Sequence, residues 1–190
     1  MKQWEKIIAT ACVGTVLLWM GTVLPAQAAP AAGHFANGAM SHRRSFLAGA
    51  FLDKGIAAYK SGNYTLALQY FHDADEHGHS KASRYIGLCY ENGYGVEKNL
   101  KTAVQWYTKA MQRGDVTGTY YLGHMYEDGL GVAVDYTRAR EMYEKASYRS
   151  DIISAPAQNA LGRMYEKGEG VPANLSMARQ WYEKASMAGY

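Results

Sequence analysis

Little in this chain advertises chemistry. Cysteine is nearly absent: of 190 residues only Cys12 and Cys89 carry a thiol, so no disulfide framework is available and packing must hold the fold. Proline occurs four times, which leaves long stretches free to be helical. No run of Lys and Arg is longer than Arg43-Arg44, and the formal net charge is only +3. That balance argues against nucleic acid or an anionic membrane surface as a partner. The templates Ser-x-x-Lys, Gly-x-Ser-x-Gly and His-Glu-x-x-His do not occur, which removes the commonest nucleophile and zinc-protease arrangements. No catalytic residue and no cofactor-binding residue is assigned.

The long apolar stretch sits at the N-terminus. Met1–Lys6 is short and basic, Ile7–Leu24 is apolar or small throughout, and Pro25 is followed by Ala26-Gln27-Ala28. This is the layout of a secretory signal peptide, residues 1–28, cleaved after Ala28; the alternative is an uncleaved membrane anchor. Cleavage removes Lys2, Lys6 and Glu5, moving the net charge from +3 to +2, and takes Cys12 with it. The expectation is an exported protein, periplasmic or secreted, with no stable membrane insertion after cleavage. Cys89 falls on an apolar helical stripe and reads as a small buried side chain. Residues 29–44, rich in Ala and Gly, read as a flexible leader.

From residue 45 to 190 the pattern is helical and repeats. Gly87, Gly123 and Gly162 are spaced by 36 and 39 residues. Tyr90, Tyr126 and Tyr165 keep that register, as do Gly93, Gly129 and Gly168, and Tyr107, Tyr143 and Tyr182. The three extra residues fall around Asp151–Pro156, a loop position. A shorter unit precedes these, with Ala67, Phe71, Ala74 and Gly78 lying 36 residues before Ala103, Tyr107, Ala110 and Gly114. Four units result, at about 46–81, 82–117, 118–156 and 157–190. Within a unit the apolar spacing is helical twice over, as in Ala82, Ile86, Cys89 and Tyr90 and then Val104, Tyr107, Ala110 and Met111.

Between the two helices stand YENGYGVEKN, YEDGLGVAVD and YEKGEGVPAN. The first glycine suits a left-handed helix end, the second continues the reversal, and Asn99, Asp135 and Asn174 are placed as N-caps of the next helix. A phosphate cradle would need a preceding strand and a third glycine, or Gly-Lys-Ser/Thr; the joint is therefore structural.

This pattern resembles the Sel1-like repeat family, a relative of the tetratricopeptide repeats. It reads Ala-x4-Gly-x2-Tyr-x2-Gly-x-Gly-Val, then Ala-x2-(Trp/Met)-Tyr-x2-Ala. Ala82–Ala110 and Ala157–Ala185 meet it, as does Gly118–Ala146 with Gly for the opening Ala. Gly55–Gly78 is closer to a plain tetratricopeptide unit. The resemblance implies an all-α fold, a right-handed α/α superhelix of antiparallel helix pairs, working as a binding scaffold in bacterial envelope or host-contact settings. Cysteine-rich relatives described as β-lactamase-like or penicillin-binding carry paired cysteines that are missing here.

In such a stack the first helices line the concave face, and the stripe beside their core positions points into the groove. That stripe holds Arg84 and Leu88, Tyr120 and His124, and Asn159 and Arg163, all expected to contact a protein partner. Glu91, Glu127 and Glu166 recur and are read as packing or capping residues. The first unit offers Asp53, Ala57 and Lys60. The tyrosines, 16 in all, are assigned mostly to the core. In FHDADEHGH, His72, His77 and His79 lie with Asp73, Asp75 and Glu76, residue types that suit zinc. His77 points about 100° away from the face shared by His72 and Glu76, and no metal site is assigned. Nothing polar caps the last helix, so Trp181, Ala185 or Met187 is expected to be exposed. Self-association through the C-terminal repeat, making the protein an assembly subunit, is the corresponding alternative.

Overall fold

The computed structural model describes residues 33–190; the signal-peptide segment lies outside the described residues. Eight α-helices account for the described architecture: α1 Gly33–Lys60, α2 Tyr64–Glu76, α3 Ala82–Asn92, α4 Leu100–Gln112, α5 Val116–Asp128, α6 Tyr136–Ala146, α7 Ala155–Lys167 and α8 Leu175–Met187. They pack as the pairs α1–α2, α3–α4, α5–α6 and α7–α8, and each pair rests on the next. In addition α3 and α5 touch directly, which puts the first helices on the tighter side of the stack. This is an all-α solenoid, in which each unit buries its apolar face against a neighbour.

One expectation is corrected. The leader proposed for residues 29–44 is not separate from the solenoid over its described part, because α1 begins at Gly33 and runs unbroken for 28 residues to Lys60. Packing at Ala48, Leu52 and Gly55 nucleates the helix, and extending it costs little once the first turns exist. Arg44 also ties it down, donating from Nη2 to the carbonyl of Glu76 at 2.9 Å.

The joints close as the sequence suggests. Gly93, Gly129 and Gly168 are left-handed C-caps with φ of 76°, 70° and 77°, a conformation cheap only for glycine. Asn99, Asp135 and Asn174 accept the N–H of Thr102, Arg138 and Met177 at 3.0, 2.9 and 3.0 Å. Their own N–H groups bond back to the carbonyls of Tyr90, Tyr126 and Tyr165, so each loop is pinned to the helix it leaves. The second glycine does more than continue the turn. A Cβ on Gly95 would lie 2.5 Å from the carbonyl carbon of Tyr64, and one on Gly131 the same distance from that of Leu100. The loop main chain of each unit thus lies against the start of the second helix of the unit before.

Within a pair, Gly87, Gly123 and Gly162 let the ring of the second helix approach. A Cβ there would sit 2.6, 2.7 and 2.5 Å from Cε1 of Tyr107, Tyr143 and Tyr182. Tyr107 and Tyr143 are fully buried, as are Phe71, Ile86 and Leu161, and each such side chain contributes on the order of 2 kcal/mol by burial.

Candidate functional site

The six side chains expected to meet a partner occupy two equivalent positions on α3, α5 and α7. Arg84, Tyr120 and Asn159 share one; Leu88, His124 and Arg163 share the other. All six are half-buried. Their surroundings differ sharply. Arg84 Nη1 reaches Oδ1 of Asp115, the N-cap of α5, at 3.1 Å, with its guanidinium carbon 4.9 Å from the Tyr85 ring centre. Arg163 Nη2 reaches Oε2 of Glu127 at 3.1 Å. Arg84 therefore ties α3 to the start of α5, and Arg163 ties α7 to α5. Leu88 packs partly against the core formed by Ala103, Tyr107 and Leu122. His124 lies 3.4 Å from Asp128 one turn on, and Asn159 makes no side-chain hydrogen bond among the described residues.

The recurring glutamates have a definite task. The phenol of Tyr107 donates to Glu91 at 2.5 Å, that of Tyr143 to Glu127, and that of Tyr182 to Glu166 at 2.5 Å. Burial raises the Tyr107 and Tyr143 phenols well above their ordinary value, and the carboxylate each donates to raises them further. They are neutral donors at any physiological pH.

The first unit needs a register correction. Gly55 meets the Phe71 ring as Gly87 meets Tyr107, its Cβ position lying 2.6 Å from Phe71 Cδ1. Counting from that glycine, Tyr59 stands where Glu91 stands, not Lys60. Asp53, Ala57 and Lys60 are exposed one position away. The missing Gly-x-Gly insert deprived the sequence reading of a fixed point for this helix.

Several half-buried tyrosines were assigned to the core, and the structure brings Tyr85 beside Arg84 and Tyr121 beside Tyr120. Tyr85 and Tyr121 occupy one register on α3 and α5. Tyr85 stacks on Phe71 at 4.8 Å and Tyr121 on Tyr107 at 5.4 Å, with Tyr120 5.6 Å from Tyr121. The Tyr121 phenol shares its surroundings with Arg84, Glu91 and Tyr85, and the Tyr120 phenol with Arg163 and Glu127; burial raises both. Their recurrence 36 residues apart is the signal that could have found them.

FHDADEHGH has no convergent ligand geometry. His72 sits edge-on to Trp106 at 5.4 Å, His77 Nδ1 donates to the Asp73 carbonyl at 2.8 Å, and His79 Nδ1 accepts from the Lys81 N–H at 3.2 Å. Among the described residues no group of three or more His, Cys, Asp or Glu side chains is arranged to hold a metal ion. Asp75 instead anchors the second unit, accepting from Lys109 and Arg113 at 2.6 Å each and from Ser83 at 2.6 Å. Burial opposes its charge, but the hydrogen bonds from Lys109 and Ser83 and the neighbouring cations outweigh it and hold the carboxyl below its ordinary range. Cys89 is fully buried, and burial pushes its thiol up to about 12, so it is no thiolate nucleophile.

At the last unit Met187 is 81 % exposed, but Ala185 is 2 % exposed, packed in the α7–α8 contact rather than facing out. Trp181 is half-buried, its ring covered by Lys184 at 4.1 Å. A recess of about 450 Å³ beside Met187 is lined by Tyr148, Arg149, Gln158 and Lys184. Among the described residues no helix is long and apolar enough to cross a membrane.

The Sel1 repeat model matches residues 46–79, 80–115, 117–151 and 155–190. The structure of c5321, a protective antigen of uropathogenic Escherichia coli strains with an SLR fold, superposes with a TM-score of 0.69 at 35% identity, over 75% of this chain and 31% of that one. A Sel1 repeat protein from Oxalobacter formigenes gives 0.68 at 31% identity, over 75% and 59%. Among curated proteins, DAP3-binding cell death enhancer 1 of Rattus norvegicus is 43% identical over 51 residues, 27% of this chain and 10% of its own. HcpE of Helicobacter pylori, whose name classes it provisionally among beta-lactamases, is 48% identical over 46 residues, 24% and 13%. This chain spans only about a tenth of the length of these curated relatives.

Proposed function

Because the chain belongs to the Sel1 repeat family, whose repeats generally mediate protein–protein interaction, we propose that it is an exported scaffold holding a protein partner on its inner face. The carrying observation is the contrast between frame and surface. Glycines, caps and Tyr–Glu pairs repeat from unit to unit, while Arg84, Tyr120 and Asn159, and Leu88, His124 and Arg163, change at fixed positions on that frame. A surface that varies on a constant support is what specific recognition requires. Tyrosine and arginine are also common anchors of protein interfaces.

Export rests on the layout of residues 1–28. The likeness to an uropathogenic Escherichia coli protective antigen supports an envelope or host-contact setting. Cell fractionation with mass analysis of the N-terminus tests this: a periplasmic or secreted species beginning at Ala29 is expected, and an intact cytoplasmic chain overturns it.

The interaction is tested by affinity capture from envelope and culture fractions with the full chain as bait. The control combines Tyr120→Ala, His124→Ala and Asn159→Ala, which leaves both inter-unit arginine pairs in place. A protein retained by the first bait and lost by the folded control is the expected result. Equal retention by both overturns the inner-face assignment. The match to HcpE favours a second reading, β-lactam hydrolysis; turnover of a chromogenic β-lactam by the purified chain would establish it. Assembly through the last unit is the third, with exposed Met187 as its observation, and a concentration-independent monomer by light scattering would dismiss it.

A further inference from the structure

The first and third boundaries between units use equivalent positions with different residues. At the first, Asp75 in the last turn of α2 meets Ser83 on α3 and Lys109 and Arg113 at the end of α4. Lys109 makes two contacts there. Its ammonium lies 4.6 Å from the Trp106 ring centre and 2.6 Å from Asp75 Oδ2. In the repeat register the third boundary has Ser147 for Asp75, Gln158 for Ser83, Lys184 for Lys109 and Ala188 for Arg113, with Trp181 for Trp106.

Lys184 keeps the first of the two contacts, its ammonium 4.1 Å from the Trp181 ring centre. It lacks the second: among the described residues no carboxylate pairs with it. Serine for aspartate and alanine for arginine leave the recess of about 450 Å³, and Ser147, Gln158, Lys184 and Ala188 all line it. None of the six candidate residues does.

The two charged residues lining the recess, Arg149 and Lys184, are both cationic. Of the neighbouring carboxylates, Asp151 pairs with Arg149 and Glu144 with Arg140, and Glu183 lines a different recess with Arg179. The Trp181 ring restrains the Lys184 ammonium before any ligand arrives, so less side-chain freedom is lost on pairing. Gln158 sets a second condition. It is 3 % exposed, and its Nε2 donates to the carbonyls of Ser147 and Arg149 at 3.1 and 2.8 Å. Its Oε1 has no donor, a costly state for a buried acceptor. An acidic residue within a peptide brings a carboxylate and an N–H together, whereas acetate brings only the carboxylate.

We propose that this recess receives an acidic side chain of a partner protein, whose carboxylate pairs with Lys184 as Asp75 pairs with Lys109. It is a contact additional to the six candidate residues, and it draws on the interaction reading only for the source of the carboxylate.

The test is an NMR titration of the full chain that reads the indole N–H of Trp181, with that of Trp106 as internal reference. The probe is acetyl-Ala-Glu-Ala-amide, whose blocked ends leave the side chain as its one carboxylate; the Gln counterpart and acetate are the controls. The Glu peptide should shift the Trp181 signal to saturation and leave Trp106, whose lysine is already paired, unmoved. The Gln peptide should bind about tenfold more weakly, and acetate more weakly than the Glu peptide. Lys184→Gln should weaken the Glu peptide about tenfold, while Lys145→Gln, at the same position one unit earlier, should not. Ser147→Asp supplies the carboxylate from within the chain and should abolish the response. Ser147 is buried, so Lys184→Gln, at an exposed position, decides the matter if that variant does not fold. Equal shifts at Trp106 and Trp181, equal binding of the Gln peptide, or indifference to Lys184→Gln overturns the proposal. If the Glu peptide fails while partner capture still depends on Tyr120, His124 and Asn159, this site falls and the interaction reading stands. If that dependence is lost while the peptide still binds, the reverse holds.

Discussion

The first unit and the three that follow build one joint with two chemistries. In the later units a second-helix tyrosine donates to a first-helix glutamate, as Tyr107 does to Glu91. In the first, both partners are replaced: Phe71 takes the tyrosine's place, and Tyr59, at the glutamate's register, meets it ring to ring at 6.4 Å. The packing glycine is kept in both cases, at Gly55 as at Gly87. Ring against glycine is thus the constant, and the polar pair is an addition to it. The loops differ likewise: Ser61-Gly62-Asn63 turns in open space, whereas the Gly-x-Gly loops press on the unit before.

The largest effect should come from the loops. Gly131 has φ of 73° and no room for a Cβ against the Leu100 main chain, so Gly131→Ala should lower unfolding stability by about 3 kcal/mol, strain and overpacking together. Gly62, with φ of 80° and nothing near, should cost only about 1 kcal/mol when changed to Ala. Urea unfolding of the two variants measures the difference; equal losses would show that the loop contact carries no energy.

Next comes Glu127, which serves both Tyr143 and Arg163. Glu127→Ala leaves a buried hydroxyl and a half-buried guanidinium unpaired and should cost about 2 kcal/mol. Tyr59→Phe, at the matching register of the first unit, should change stability by less than about 0.5 kcal/mol. Between those two lies Tyr107→Phe, which deletes a single hydrogen bond, about 1 kcal/mol. A cycle of Phe71→Tyr with Tyr59→Glu would transplant the later pair into the first unit. The double variant should be more stable than the sum of the singles implies, and strict additivity would deny that the pair is modular.

The mildest effect at neutral pH is in the titration of Asp75. Its folded carboxyl is held below the ordinary 3.8, so its contribution is present above that value and is lost as pH falls through the folded one. Asp75→Asn should flatten the acid limb of stability below about pH 4, measured by thermal melts across pH. The raised phenols act at the other end: stability held below pH 10 is lost as pH rises towards their folded values, and Tyr107→Phe should soften that alkaline limb.

What could be read from the sequence is what recurs. Joints, caps, helix pairs and the structural standing of Glu91, Glu127 and Glu166 each appear three times in register, and repetition made them legible. The ion pairs appear once each. Arg84 with Asp115, and Asp75 with Lys109 and Arg113, link residues 31, 34 and 38 apart, and nothing in a repeat pattern singles out a contact made at one junction only. The sequence puts Arg84 and Arg163 on the stripe beside the core positions of their helices, but not their engagement across units. The helical start of α1 was hidden because Ala and Gly composition resembles a linker until the packing of Ala48 and Leu52 is known. Tyr59 was missed for want of a reference glycine loop, and Tyr85 and Tyr121 because tyrosine in a repeat is most easily assigned to the core.

The second glycine of each loop sets a limit on what the surface can disturb. At Gly95, Gly131 and Gly170 main chain meets main chain across the unit boundary, so the angle between successive units is registered at these points by atoms that every residue possesses. A side chain that makes no cross-unit bond, such as Asn159, can then be exchanged without moving these points of contact.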